Sequence, residues 1–285
     1  MTDLLGDGTR MGAVELLVDD LDTMLGYYRD VLALELIRVD GHTHVLGRGA
    51  VETVTLTPAR GLPSFSRSGA GLFHTAVLFD TEPGLAAAIA RVAQASPGSY
   101  TGSADHLVSK AFYFDDPEGN GVELYWDRPR DAWGRDANGR PLMGAEYIDA
   151  NGYLTRHLDE AEFAAPASAA SVGHVHLQVG DIPTAKRFYV DAMGFEEVVE
   201  MGTALFVAAG GYHHHIGLNT WNSRGAGPRA ASLGLGRMDI VLPSPDAVAA
   251  LRSRLAFVGV AVEDDGREIT FADPWGSRIR ATLEG

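Results

Sequence analysis

The sequence predicts an α+β protein of four βαβββ modules paired into curved β-sheet cups, and three observations predict it. The first is an internal duplication. Val18 onward (VDDLDTMLGYYRDVLALELI) lies over Val179 onward (VGDIPTAKRFYVDAMGFEEV), with Asp20 on Asp181, Tyr28 on Tyr189 and Asp30 on Asp191 at one constant offset of 161 residues. The second is a repeated turn: Asp116-Pro117-x-Gly119 returns as Asp273-Pro274-x-Gly276 at an offset of 157, which short insertions between the two pairs explain. The third is an alternating apolar run ahead of a helix-type spacing in four places, near Val14 to Val18, Thr75 to Phe79, Val175 to Val179 and Asp239 to Leu242.

The elements of one module follow in order. Its first strand is the alternating run. Its helix is read from apolar spacing such as Leu21, Leu25, Tyr28 and Leu32, with Asp or Pro at the N-terminal turn, where each is favoured. Runs such as ALFVAAGG and GVELYW supply later strands, and Asp-Pro-x-Gly turns the chain between the last two. The modules span 11–60, 71–128, 172–222 and 235–283, giving an N-terminal half, 1–130, and a C-terminal half, 172–285. Residues 131–171 are polar and Ala-rich and read as a linker with one short helix at Leu158 to Ala164. A single βαβββ sheet leaves one face uncovered, so modules must pair and curl around that face.

Composition narrows the function. A chain of 285 residues with 46% hydrophobic side chains can pack a core in each half. Lys and Arg total 23 against 38 Asp and Glu, and the net charge of −15 repels a phosphate backbone and anionic lipid, so nucleic acid and membrane surfaces are excluded as partners. With no Cys, disulfides, thiolate metal sites and Cys nucleophiles are excluded, and any metal must be held by His, Asp, Glu or water. The N-terminal MTDLLGDGTRMGAVELL lacks a secretory pattern and no stretch reaches the roughly 18 apolar residues of a membrane span, so a cytoplasmic, soluble protein is expected. A homo-oligomer is left open. Ala208-Ala209-Gly210-Gly211 precedes a strand rather than a helix, which rules out a phosphate cradle, and no Ser-centred nucleophile elbow is present.

Four such modules, with GYHHHIGLNTW and FYFDDPEGNGVELYW, resemble the vicinal oxygen chelate (glyoxalase/bleomycin resistance/dioxygenase) superfamily over residues 11–283, and its catechol 2,3-dioxygenase-like branch in particular. The resemblance implies metal ligands at an inward position of a module's first strand and of its last. The first-strand positions read Ala13, His74, His174 and Met238, and the last-strand positions Thr55, Glu123, Gly217 and Arg280. The outer modules cannot hold a divalent cation with these residues. The middle modules offer His74, Glu123 and His174, the two-imidazole, one-carboxylate set that suits non-haem Fe(II) and that Mn(II) also accepts. In the familiar four-module enzymes the third and fourth modules pair around the metal, whereas here the second must pair with the third and the first with the fourth.

The resemblance further implies an acid/base histidine in the run His213-His214-His215, best matched by His215, with His214 adjacent; strand alternation would send His213 and His215 to one face. An imidazole titrating near neutrality suits a base that takes a proton from a catechol. Tyr113, ten residues before Glu123, matches a Tyr that hydrogen-bonds the substrate oxygen, and His106 a supporting His, although an aromatic in an FYF run also reads as core. His176 shares the inward face with His174, while His42, His44 and His157 read as solvated. The implied activity is extradiol ring cleavage of an aromatic diol with Fe(II) and O2. Two readings compete with it: a glyoxalase-type metal lyase or isomerase, which would use four protein ligands where this chain has Gly217, and a non-catalytic binder of a small aromatic or antibiotic.

Overall fold

The computed structural model describes residues 4–283. The first module comprises β1 (Arg10–Val18), α1 (Leu21–Leu25) running into a π-helical turn (Gly26–Val31), β2 (Glu35–Asp40), β3 (Thr43–Arg48) and β4 (Val51–Pro58). The second has β5 (Gly71–Phe79), α2 (Glu82–Ala95), β6 (Tyr100–Asp105), β7 (Ser109–Asp115) and β8 (Gly121–Asp127). After α3 (Ala150–His157) and α4 (Glu160–Ala164) comes the third module: β9 (Ala170–Gln178), α5 (Ile182–Lys186) with a second π-helical turn (Arg187–Ala192), β10 (Glu196–Glu200), β11 (Ala204–Ala208) and β12 (Ile216–Asn219). The fourth has β13 (Gly234–Leu242), α6 (Pro245–Phe257), β14 (Glu263–Asp264), β15 (Ile269–Ala272) and β16 (Arg278–Leu283).

These strands form two curled eight-stranded sheets, ordered β14-β15-β16-β13-β1-β4-β3-β2 and β10-β11-β12-β9-β5-β8-β7-β6. The strands of modules two and three therefore share one sheet and those of one and four the other, the pairing that the ligand residues demand. In modules two, three and four the first and last strands are parallel neighbours and the other pairs antiparallel. By compactness the described chain divides into one unit of residues 17–61 and 74–172 and a second made of the rest.

Each unit explains part of the duplication. Asp20 and Asp181 are N-caps: their side chains accept from the backbone N–H of Thr23 and Thr184, at 3.1 and 2.8 Å, satisfying groups that a helix start otherwise leaves open. Gly119 and Gly276 both adopt φ of 84°, a left-handed conformation that fixes glycine in the Asp-Pro-x-Gly turn. Within that turn Asp116 accepts from the N–H groups of Glu118 and Asn120, and Asp273 from those of Trp275 and Ser277. The repeated tyrosines complete the set. Tyr28 donates its hydroxyl to Asp116 at 2.9 Å and Tyr189 to Asp273 at 3.0 Å, so in each half the first module's π-helical turn is tied to the second module's hairpin.

Three expectations need correction. The linker holds two helices where one was expected: Ala150–His157 was missed because only Tyr153 of its polar sequence is buried, and the later helix starts at Glu160 behind the N-cap Asp159, not at Leu158. The first strand of the third module starts at Ala170, two residues inside the stretch read as linker. Neither His44 nor His157 is solvated: His44 is half-buried on β3, and His157 stacks on Tyr153 at 4.5 Å between ring centroids.

Burial pushes the Asp116 carboxyl up to about 6, while the Tyr28 hydroxyl and the Asn120 donors pull the other way by favouring the charged form. A raised folded-state value means that the cost of ionising Asp116 is absent below about pH 4 and grows as the pH rises through about 6. Tyr28→Phe removes a donor that this charge needs. Urea denaturation should show a loss of about 1–3 kcal/mol that is larger at about pH 8 than at about pH 5. Equal loss at both would show that the hydroxyl does not serve the carboxylate.

Candidate metal centre

Strand register assembles the centre. The parallel β5–β8 pair sets Ala76 opposite Glu123 and His74 opposite Gly121, so His74 and Glu123 stand two residues apart on one face. Glu123 is 2% exposed, a position a carboxylate occupies only with a charged or hydrogen-bonding partner. His74 Nε2 lies 2.9 Å from Glu123 Oε2. The parallel β9–β12 pair repeats the geometry with His176 opposite Gly217, which gives His174 and Gly217 the places that His74 and Glu123 hold in module two. One ring nitrogen each of His74 and His174 and a carboxylate oxygen of Glu123 all lie within 4.8 Å of one another, and all three residues are buried. Two imidazoles and a carboxylate fit a divalent transition metal that keeps other coordination positions open.

Around His74 and Glu123, the antiparallel β7–β8 register sets Tyr113 opposite Glu123. Its ring centroid lies 5.5 Å from that of His74. Burial and the neighbouring Glu123 push the Tyr113 phenol up, so it keeps its proton. The Glu123 carboxylate is one hydrogen-bond partner of that hydroxyl and His106 is another. His106 Nδ1 lies 2.7 Å from the Gly144 carbonyl, which can only accept, so Nδ1 carries a hydrogen, and Nε2 lies 2.7 Å from the Tyr113 hydroxyl. Gly144 belongs to the stretch read as a linker. Its role was invisible in the sequence because the backbone carbonyl of any residue could serve there. Asp105, chelated by Arg128 at 2.7 and 2.9 Å, and the turn residue Leu107 at φ 70° fix the approach of His106.

Around His174 the structure corrects the histidine run. β12 begins at Ile216 and His215 extends its ladder through backbone bonds to Val207 and Val175, while His213 and His214 occupy the connection that follows the left-handed Gly210 and Gly211, so strand alternation does not extend to those two. His215 turns away: its Nδ1 accepts the Ala209 N–H at 3.2 Å and its ring packs beside Tyr212 and Phe195, the latter fully buried. His214 lies against His174, ring centroids 4.1 Å apart, and its Nδ1 is 2.8 Å from Nδ1 of His213, so one of those two nitrogens donates to the other.

The other sheet shows what fills a metal position without ligands. Asp239 pairs with Arg280 across β13 and β16, which makes Arg237, not Met238, the residue two before the partner; Met238 is fully buried and pairs with Ile279. Asp239 is held by Arg280 at 2.5 Å and Arg237 at 2.8 Å, with Glu15 and Glu268 each 3.3 Å from one of the arginines. Ala13 and Thr55 are buried and offer no charge. Asp239→Ala removes the carboxylate shared by two arginines that keep Glu15 and Glu268, and should cost about 1–3 kcal/mol in denaturation while leaving bound metal per chain unchanged, whereas Glu123→Ala should lose the metal. Metal loss in the Asp239 variant would contradict the separation of the two clusters.

The chain matches the Glyoxalase/Bleomycin resistance protein/Dioxygenase superfamily over residues 10–124 and 171–281. It is 36% identical over 275 residues to the catechol-2,3-dioxygenase of Bacillus subtilis (strain 168), covering 94% of this chain and 95% of the relative. Among solved structures, the cppA protein of Streptococcus pneumoniae TIGR4 superposes with a TM-score of 0.60 at 11% identity, over 99% of this chain and all of the other. Glyoxalase I from Zea mays gives 0.58 at 17%, over 97% and 92%. At those identities the two structures speak for the fold alone.

Proposed function

The chain belongs to the glyoxalase/bleomycin resistance protein/dioxygenase superfamily, and within it we propose an extradiol ring-cleavage dioxygenase that acts on a catechol-type aromatic with non-haem Fe(II) and O2. Mn(II) would be accepted by the same donors. The observation that carries this reading is the three-ligand set of His74, Glu123 and His174 with Gly217 at the fourth position. A fourth protein ligand, as a glyoxalase-type centre would use, is missing from the place where the register puts it. The 36% identity to a catechol-2,3-dioxygenase along nearly the full chain supports the same choice.

When bound, the metal would supply a template for a vicinal diol and for O2 and would lower the phenol pKa. The remaining work falls to side chains of this chain. His214, ring against ring with His174 and hydrogen-bonded to His213, is assigned as the base that takes a diol proton, in place of His215, whose Nδ1 is committed to the backbone. Tyr113 orients a substrate oxygen, and its hydroxyl is aimed by His106, whose Nδ1 hydrogen is held by the Gly144 carbonyl. Exclusion of water from this region comes from the burial of His74, Glu123, His174 and His214. No helix of the described residues is long and apolar enough to cross a membrane.

Protein loaded anaerobically with Fe(II) and mixed with catechol in air should form the yellow ring-opened product. Glu123→Ala should lose both iron and colour. His214→Ala should keep its iron but lose about 10²–10⁴ in kcat, and an undiminished rate in that variant would remove the base assignment. Turnover of a hemithioacetal without oxygen uptake would instead favour a glyoxalase-type enzyme.

A further inference from the structure

The segment ahead of β1, Leu5 to Thr9, is seated against module three by its backbone. Leu5, 4% exposed, donates its N–H to the Gly194 carbonyl at 2.8 Å. The residue after Gly194 is Phe195, whose ring packs beside that of His215. Further along, Asp7 closes on Gly210: a Cβ added there would lie 2.8 Å from Asp7 Cα and 2.9 Å from the Asp7 carbonyl oxygen, closer than a side chain tolerates. Gly8 is as tight against Pro243, where an added Cβ would meet the proline Cβ at 2.8 Å. The Thr9 N–H, donated to the Gly6 carbonyl at 2.9 Å, closes the segment into this shape.

What the segment touches is the entry to the histidine run. Gly210 and Gly211, at φ 61° and 65°, are the central residues of a turn that the Tyr212 N–H closes on the Ala209 carbonyl at 3.4 Å. The side chains that leave this turn are coupled ring to ring. Tyr212 lies on His213 with centroids 4.1 Å apart, and His213 Nδ1 is 2.8 Å from Nδ1 of His214. All three are buried, so a shift of Gly210 is carried to His214 through packed rings.

The two glycines differ in one respect. Both are left-handed, so a methyl group meets similar backbone strain at either. A Cβ on Gly211 would meet nothing within 4 Å, whereas one on Gly210 would run into Asp7. The need for glycine at 210 therefore includes the segment, and the need at 211 does not.

We propose that Leu5 and the backbone of Asp7 are positioning elements for His214: the segment pins Gly210 from outside and so sets where the turn delivers the base. In taking His214 as the base, this role rests on the dioxygenase reading; the clamp itself is read from backbone contacts.

Full-length protein loaded with Fe(II) tests it in Leu5→Ser, Gly210→Ala and Gly211→Ala. The first two should each lose about tenfold or more in kcat on catechol, with KM within about threefold and iron per chain unchanged, while Gly211→Ala should lose less than about threefold. Gly210→Ala added to Leu5→Ser should cost less than about threefold more, because the segment is already released. Leu5→Met, which keeps an apolar anchor, should retain the rate. Ring 1H–15N spectra of the Zn(II)-loaded protein need no turnover: the hydrogen-bonded ring N–H signal of the His213–His214 pair, identified by its loss in His214→Ala, should move in Leu5→Ser and Gly210→Ala and stay in Gly211→Ala. Equal losses in the two glycine variants, additive losses in the double variant, or an unmoved ring signal in Leu5→Ser would overturn the proposal. Should the glycine variants fail to fold, Leu5→Ser and Leu5→Met decide it alone, since they leave the turn sequence intact. A ring signal that moves as expected in protein that never cleaves catechol would instead defeat the dioxygenase reading and leave the clamp standing.

Discussion

A buried carboxylate, Glu123, facing His74, Tyr113 and His174, is the constraint on which the rest of this structure depends. Desolvating Glu123 is unfavourable unless cationic or donating groups meet it, and the strand register supplies His74 at 2.9 Å from the same module. One imidazole and one carboxylate supply two of the three donors. The other imidazole comes from module three, and the sheet order β12-β9-β5-β8 is what lets it. Pairing of modules is thus coupled to chemistry: the two modules with ligand side chains share a sheet, and the two without share the other.

Where ligands are absent, charge is arranged differently. At the corresponding register of β13 and β16, Arg237 and Arg280 meet Asp239, Glu15 and Glu268, so the buried Asp239 carboxylate is paired without an ion. The Tyr28–Asp116 and Tyr189–Asp273 links act within each half of the sequence, while the sheets run between the halves. Duplication supplied both sets of links, and divergence at a few strand positions separated a centre with chemistry from one that is structural.

Much of this was legible in the sequence because repeats report equivalent positions. Asp20 with Asp181, Tyr28 with Tyr189, and the two Asp-Pro-x-Gly turns gave the modules, and the eight inward positions then singled out His74, Glu123 and His174. The legibility failed where backbone, not side-chain pattern, sets the geometry. His213 and His214 read as strand because alternation alone cannot locate a strand's first residue; the successive left-handed glycines 210 and 211 delay the ladder to His215 and turn its ring toward Phe195. Met238 was off by one for the same reason, since register is a property of hydrogen-bonded pairs. Gly144 could not be found at all, as its contribution to His106 is a carbonyl.

The proposed centre requires residues of modules two and three to hold one ion together. Anomalous diffraction at the iron edge from crystals of the Fe(II)-loaded protein tests it directly. A single strong peak is expected within bonding distance of His74, Glu123 and His174. A peak at the His213 to His215 run, or none near Glu123, would contradict it.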